Sequence, residues 1–186
     1  MPSTHQRRGR RARQNGRKAE RSVIAAHGSS DTVVMAKQHP QRLHDGRYIG
    51  KEGCDFLGFA LVDGWPIPGE LLPCPIALEV KSSAGPSIAI WNQSDRNIGP
   101  EQVCQLAKYD FWVGSLGLVL VNAHQRLKSG IKPHWFVMRW RTYERIEARQ
   151  IEQGSKSINW QRFSEDNHAH RVTDGRWFDA LEALVT

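Results

Sequence analysis

Apolar residues in the middle of the chain fall into short runs bounded by polar or turn-forming residues, a pattern that indicates β-strands. The run at 55–62 enters a turn at Asp63-Gly64. The run at 117–123 is almost entirely apolar, as expected for a strand that is covered on both faces. The predicted strands are 55–62, 76–82, 87–91, 117–123 and 133–141.

Helical patterns cover residues 16–37, 100–113, 142–152 and 176–185. Pro100 suits the first turn of its helix. Within the first pattern, the Gly28-Ser29-Ser30-Asp31 cluster is expected to end one helix and cap a second at Asp31. Residues 64–75 hold four of the nine prolines and are predicted to form an irregular connection, and 153–175 shows little periodicity. The order of elements predicts an α/β fold with a central mixed β-sheet flanked by α-helices.

Size and composition indicate one soluble domain. The chain has 186 residues, of which 39% are hydrophobic, and a mean hydropathy of -0.55, which excludes a membrane protein and disfavours a wholly disordered chain. Cys54, Cys74 and Cys104 stand in no paired spacing, so neither a disulfide framework nor a zinc site is indicated. We therefore expect a cytoplasmic protein, with a basic flexible arm at 1–15 followed by a single domain at 16–186.

The net charge of +7 is concentrated at one end of the chain. Residues 1–21 carry eight lysines and arginines and one acidic residue, and the rest of the chain is balanced. An arginine-rich arm attracts polyanions, of which nucleic acid is the favoured one. The alternative is a solvated tail without a partner. The residues that we expect to contact nucleic acid are Arg7, Arg8, Arg10, Arg11, Arg13, Arg17 and Lys18.

Acidic groups and one lysine stand in strands that otherwise hold apolar residues. The strand period of two places Glu79 and Lys81 on one face, with Leu78 and Val80 on the other. At this spacing the carboxylate can hold a divalent cation while the lysine orients or helps to deprotonate an attacking water molecule. Asp55 opens a neighbouring hydrophobic strand and offers a second oxygen ligand. Oxygen ligands of this kind select Mg²⁺ or Mn²⁺.

This arrangement resembles the PD-(D/E)xK nucleases, whose metal site is an Asp on one strand and Glu-x-Lys on the next. Gly16-Arg17-Lys18-Ala19-Glu20-Arg21 resembles the G-x-x-x-E-R start of the first helix in Holliday junction resolvases of the Hjc and RecU kinds. Asp55-Phe56-Leu57-Gly58 resembles the D-F-x-G segment of the RecU kind, and Glu79-Val80-Lys81-Ser82-Ser83 is similar to their E-x-K-S/T. Glu101-Gln102-Val103-Cys104-Gln105-Leu106 resembles their Q-x-x-x-L helix.

The matches cover roughly residues 16–125 in the family's order, with two departures. Cys54 stands where the family name has proline, and the interval from Asp55 to Glu79 is longer than in compact members. The longer interval requires residues 64–75 to loop out or to extend a hairpin. Residues after about 126 match nothing in the family.

The resemblance implies a restriction-endonuclease-like core and an enzyme that resolves four-way (Holliday) DNA junctions. The reaction would be paired hydrolysis of DNA phosphodiesters, which leaves 5′-phosphate and 3′-hydroxyl ends. The implied cofactor is Mg²⁺, for which Mn²⁺ substitutes, and no small-molecule cofactor is expected. The implied partner is branched DNA, and the two-fold substrate implies a homodimer.

The resemblance also gives individual residues their roles. Asp55, Glu79 and the backbone carbonyl of Val80 would hold the metal ion. Lys81 would position and activate the nucleophilic water, and Gln102 would orient a metal-bound group.

Glu20 would support the same ion or a second one. Each residue also has a structural interpretation without catalysis. Asp55 would be a turn residue, Glu79 and Lys81 an exposed ion pair, Glu20 a partner of nearby arginines, and Gln102 a solvent-facing helix residue.

Three other functions also fit the sequence. The first is a nuclease of the same fold with another DNA substrate, such as a restriction-type or mismatch-nicking enzyme. The second is a non-catalytic DNA-binding protein with a basic arm, which the burial of acidic groups beside phosphates disfavours. The third, an RNA-binding protein, depends on the arm alone.

Overall fold

A computed structural model describes residues 4–38, 41–42, 48–50, 53–90, 100–123 and 132–185. Its α-helices are α1 (Thr4–His27), α2 (Pro100–Phe111), α3 (Trp140–Glu152), α4 (Trp160–Ser164) and α5 (Leu181–Val185), with a 3-10 helix at Trp177–Ala180. Its strands are β1 (Val33–Lys37), β2 (Gln41–Arg42), β3 (Tyr48–Gly50), β4 (Phe56–Asp63), β5 (Leu71–Ser82), β6 (Ser87–Ala89), β7 (Leu116–Ala123), β8 (His134–Arg139), β9 (Ser157–Asn159) and β10 (Ala169–Val172).

Six strands form the central sheet, in the order β1-β4-β5-β7-β8-β10. β5 and β7 are parallel and the other neighbours are antiparallel, so the sheet is mixed, as predicted. A parallel pair needs a crossover connection, and α2 lies in the one between β5 and β7. Two small sheets, β2-β3 and β6-β9, lie outside the central one.

Helices cover both faces of the central sheet and form two hydrophobic cores. Leu78 and Val80 of β5 face α1, the 3-10 helix and α5, whereas Ala77 faces α2, α3 and α4. Every residue of β7 is buried, as its apolar run predicted. No helix in the described part of the chain is long and apolar enough to cross a membrane.

The last residue of α1 holds that helix against the C-terminal part of the chain. The indole Nε1 of Trp177 donates to Nε2 of His27 over 2.8 Å, and the His27 ring also meets Phe56 edge-on. Burial lowers the pKa of His27 to about 4, so the imidazole is neutral near pH 7 and can act as this acceptor.

The predicted second helix after Asp31 is wrong, because the chain forms β1 at Val33–Lys37 instead. Val33 and Met35 turn toward the core while Val34 is exposed, the two-residue period of a strand paired with β4. The first helix does end at the predicted Gly28–Asp31 cluster. It begins at Thr4, twelve residues before its predicted start, so most of the segment predicted to be a flexible arm has helical backbone.

Two other segments are more regular than predicted. β5 begins at Leu71, inside the proline-rich segment predicted to be irregular. Pro73 and Pro75 fit there because the β5–β7 pairing starts only at Ile76, which leaves the outer edge of the preceding residues without a neighbouring strand. Segment 153–175 contains β9, α4 and β10, which are too short to give a periodic signal.

The packing of α2 on the sheet depends on a glycine. A Cβ atom added to Gly117 of β7 would lie 2.0 Å from the backbone oxygen of Leu106 in α2. The helix backbone therefore approaches β7 at a distance that only glycine permits.

We expect Gly117→Ala to lower the free energy of unfolding by about 1–3 kcal/mol, because α2 has to move away from β7. Gly85→Ala is the matched control, since nothing lies within 4 Å of the added Cβ atom. Urea denaturation of both variants measures the effect. Equal stability of Gly117→Ala and the parent chain would contradict the close approach of the helix.

Candidate functional site

Asp55 and Glu79 face each other across two neighbouring strands. The β4–β5 register pairs Phe56 with Leu78, so Asp55, one residue before β4, stands opposite Glu79. The Asp55 N–H donates to Oε2 of Glu79 over 3.1 Å, and the Val80 N–H donates to Oδ2 of Asp55 over 2.8 Å. Both carboxylates are buried, with exposed fractions of 5% and 2%. The backbone of each of the two segments therefore holds the carboxylate of the opposite segment in place.

Lys81 and Gln102 also contact the Glu79 carboxylate. Nζ of Lys81 lies 2.8 Å from Oε1 of Glu79. Nε2 of Gln102 lies 3.1 Å from both Oε1 and Oε2. The period of two along β5 thus places Glu79 and Lys81 on one face, as predicted, and α2 brings Gln102 to the same point. We call Asp55, Glu79, Lys81 and Gln102 the carboxylate cluster.

Gln105 is a positioning residue that the sequence did not single out. Its Oε1 accepts the Cys54 N–H over 2.6 Å, one residue before Asp55. Gly53 has φ of +84°, and a Cβ atom there would lie 2.2 Å from the same Oε1. Gln102 and Gln105, one helical turn apart, therefore hold Glu79 and the chain that leads into Asp55. The sequence feature that could have identified Gln105 is its position three residues after Gln102 on a predicted helix, which places both side chains on one face.

Tyr143 of α3 belongs to the core on the same side of the sheet as Glu79. Burial raises the pKa of its phenol, and the negative charges of Glu147 and Glu79 raise it further. The phenol therefore stays protonated and neutral at physiological pH and cannot serve as a general base. The fully buried ring also gives the cluster an apolar neighbour, which strengthens electrostatic interactions there.

Glu20 lies on α1, on the opposite face of the sheet from Glu79. Its carboxylate pairs with Nζ of Lys37 on β1. Lys37 stands opposite Phe56, whose side chain faces α1, whereas Glu79 faces α2. Glu20 and Glu79 therefore lie on opposite faces of the sheet, at the strand end where Asp55 lies.

The oxygen donors of the cluster suit a hard divalent cation. Asp55 and Glu79 offer carboxylates on one face, and Val80 adjoins Asp55 through its backbone. No group of three or more His, Cys, Asp and Glu side chains that could hold a metal occurs in the described ranges. The chain would thus supply two carboxylates and the Val80 carbonyl, and water would fill the other positions, as is usual for Mg²⁺.

The basic residues of the predicted arm lie on α1. Arg13, Arg17 and Lys18 have exposed side chains, and Ala19 is the first buried residue of the described part of the helix. The side chains of Arg7, Arg8, Arg10 and Arg11 lie outside the described part of the structure.

Comparisons with protein-family models and with curated proteins found no match for this chain.

We expect Lys81→Met to lower the free energy of unfolding by about 1–3 kcal/mol, because the buried Glu79 carboxylate is deprived of a charged donor. Glu79→Gln removes the charge that needs this donor, so the double variant should be more stable than the sum of the single effects predicts. Arg162→Met is the control, since it breaks the exposed pair of Arg162 with Glu165 and should cost less than about 1 kcal/mol. Additive effects in chemical denaturation would show that Lys81 and Glu79 do not interact.

Proposed function

We propose that this protein is a metal-dependent DNA endonuclease with a restriction-endonuclease-like core, of the PD-(D/E)xK kind. The observation that carries the proposal is the carboxylate cluster, in which Asp55, Glu79 and Lys81 meet on one face of the sheet with Gln102 from the following helix. These residues belong to the D-F-x-G, E-x-K-S/T and Q-x-x-x-L motifs, and they follow one another along the chain in the family's order.

The fold supports the proposal because the motifs occupy its central elements. α1, the antiparallel strands β1, β4 and β5, the crossover helix α2 and the parallel strand β7 cover the same part of the chain as the resemblance. The longer interval between Asp55 and Glu79 is taken up by the β4–β5 hairpin, which extends to the pair of Asp63 with Leu71. This departure from compact members therefore leaves the pairing of the two carboxylates intact.

Each residue of the cluster has a chemical task in this mechanism. Asp55, Glu79 and the Val80 carbonyl would hold Mg²⁺ or Mn²⁺, which supplies a Lewis acid for the water and the scissile phosphate. Gln102 fixes the plane of the Glu79 carboxylate by donating to both of its oxygens. Lys81 places an ammonium group beside the same carboxylate, where it can orient the attacking water and offset the charge that develops on the phosphate.

The proposed substrate is a four-way DNA junction, cut by a homodimer into products with 5′-phosphate and 3′-hydroxyl ends. The excess positive charge in the first 21 residues supports a polyanionic substrate, and Arg13, Arg17 and Lys18 are exposed to it. Glu20 would contribute to the site only from the α1 side, next to Lys37. A nuclease of the same fold that acts on linear or mismatched DNA is the alternative.

The test is cleavage of a labelled four-way junction and of a linear duplex of the same sequence, with and without Mg²⁺. We expect paired nicks in the junction only, and a fall of at least 100-fold in rate for Asp55→Asn, Glu79→Gln and Lys81→Ala, roughly the size expected when a metal ligand or its partner is removed. Glu165→Gln and Lys156→Ala make matched charge changes at exposed positions and should cleave like the parent chain.

Full cleavage by any of the three cluster variants would overturn the proposed site. Mg²⁺-dependent cleavage of both substrates would support the nuclease and favour the alternative substrate. Binding without cleavage would favour a non-catalytic DNA-binding protein.

The basic residues of α1 give a further prediction. Replacing Arg7, Arg8, Arg10, Arg11 and Arg13 with glutamine should weaken junction binding and reduce its salt dependence, by about 0.9 in log–log slope for each phosphate that the variant no longer neutralises. The glutamine variant keeps the length and helix propensity of α1, so the buried part of the helix from Ala19 onward stays in place. An unchanged slope in fluorescence anisotropy would identify this segment as a solvated one without a partner.

A further inference from the structure

A basic cavity of about 580 Å³ lies in the C-terminal third of the chain. It forms where β8 passes into α3, and β10 and α5 contribute its other walls. Its polar lining consists of Arg139, Arg141, Thr142, Arg145, His168 and His170. No carboxylate occurs among the described lining residues, and we call this feature the arginine cavity.

Asp110 at the end of α2 fixes two of the arginines from outside the cavity. Its Oδ1 lies 2.5 Å from Nε of Arg139, and its backbone oxygen accepts from Nη2 of Arg139 over 3.0 Å. Its Oδ2 accepts the backbone N–H of Arg141 over 3.1 Å and lies 3.4 Å from Nε of the same residue. Asp110 therefore holds two guanidinium groups and also caps the start of α3.

Asp166 fixes the third arginine in the same way. Nη2 of Arg145 donates to both carboxylate oxygens of Asp166 over 2.9 Å. A guanidinium group has five N–H donors, so these hydrogen bonds use only part of the donors of Arg145. Arginines held by an acidic partner lose little side-chain entropy when they bind an anion with their other donors.

Positive groups line the arginine cavity, whereas the carboxylates that pair with them do not. Arg139, Arg141 and Arg145 are lining residues, and their partners Asp110 and Asp166 are not. Burial and the neighbouring His168 lower the pKa of His170, so its neutral ring offers an N–H donor near pH 7. The cavity thus presents three guanidinium groups and other N–H donors, with no carboxylate among its described lining residues, which suits a phosphate group.

The arginine cavity is distinct from the carboxylate cluster. Arg139, which lines the cavity, pairs with Leu118 of β7, and Leu118 pairs with Leu78, so Arg139 is two strands, or about 10 Å, from β5. Ala169 of β10 is three strands, or about 14 Å, from Glu79. His170 stands opposite Val137, whose side chain faces the α1 side of the sheet, whereas Glu79 faces α2. A phosphate in the cavity is therefore a different phosphate from one at the cluster.

We propose that the arginine cavity binds a phosphate group. In the nuclease, this phosphate would belong to a DNA arm other than the arm that is cut. This rests on the proposed function, because a branched substrate has several arms and offers phosphates on more than one side of the protein. The planar guanidinium groups of Arg141 and Arg145 suit the phosphate oxygens and read no base.

The test measures binding in EDTA, so that cleavage plays no part. We expect Arg141→Gln/Arg145→Gln to bind a four-way junction at least tenfold more weakly, with a fall of about 0.9 in the log–log salt slope. A linear duplex should be affected less, because it has no second arm. Arg162→Gln is the control, since this exposed arginine of α4 pairs with Glu165 and does not line the cavity.

Thermal melting shows whether the double variant folds, and Arg141→Gln alone is the second variant, because Asp110 then keeps Arg139 as its partner. Unchanged junction affinity and slope in a folded variant would overturn the DNA assignment. Equal weakening for the junction and the duplex would overturn the assignment to a second arm.

Titration with pyrophosphate, followed by the imidazole signals of His168 and His170 in NMR, separates a free phosphate compound from DNA. Shifts in the parent chain with unchanged junction binding in the variants would assign the cavity to a free phosphate compound. No shifts, together with unchanged junction binding, would overturn the phosphate site altogether. None of these measurements depends on cleavage. A failure of the proposed nuclease activity would be seen separately, in the cleavage assay with Mg²⁺.

Discussion

The buried carboxylate of Glu79 is the constraint on which the rest of the structure depends. An ionised group that is only 2% exposed is stable in a protein only when charged and hydrogen-bonding partners surround it. Lys81 supplies the charge from the same strand, Asp55 supplies a backbone N–H from β4, and Gln102 supplies an amide from α2. Three elements distant in sequence therefore converge on one side chain, and folding and the candidate site are built from the same contacts.

The position of α2 follows from this constraint. Gln102 reaches both oxygens of Glu79 only if the helix lies close to the sheet, and the absence of a side chain at Gly117 permits that approach. Gln105, one turn later, holds the backbone of Cys54 and so sets where β4 begins. A shift of α2 would therefore move Glu79 and Asp55 together. This coupling explains why the helix carries two buried or partly buried glutamines where an ordinary amphipathic helix would carry apolar residues.

The sequence predicted the parts of this arrangement that depend on local periodicity. The two-residue period of strands placed Glu79 and Lys81 on one face, and the apolar run at 117–123 indicated a strand buried on both faces. Register and pairing depend on distant segments, so the contact of Gln105 with Cys54 could not be predicted. For the same reason the local pattern at Val33–Lys37 favours a helix, because only its pairing with β4 makes it a strand. The motif at Glu20 is also local, and it does not tell which face of the sheet its helix covers.

The helices on both faces of the sheet restrict how a polyanion can reach the carboxylate cluster. Helices cover both faces, so neither face is open over Glu79. The faces meet at the strand end where Asp55 precedes β4 and where the pair of Lys37 with Glu20 joins β1 to α1. Arg13 and Arg17 are exposed on α1 and precede Ala19, the first buried residue of the described helix. DNA bound by the proposed nuclease would therefore run past this strand end, where the basic helix can contact one phosphate and a metal ion held by the cluster can contact a neighbouring one.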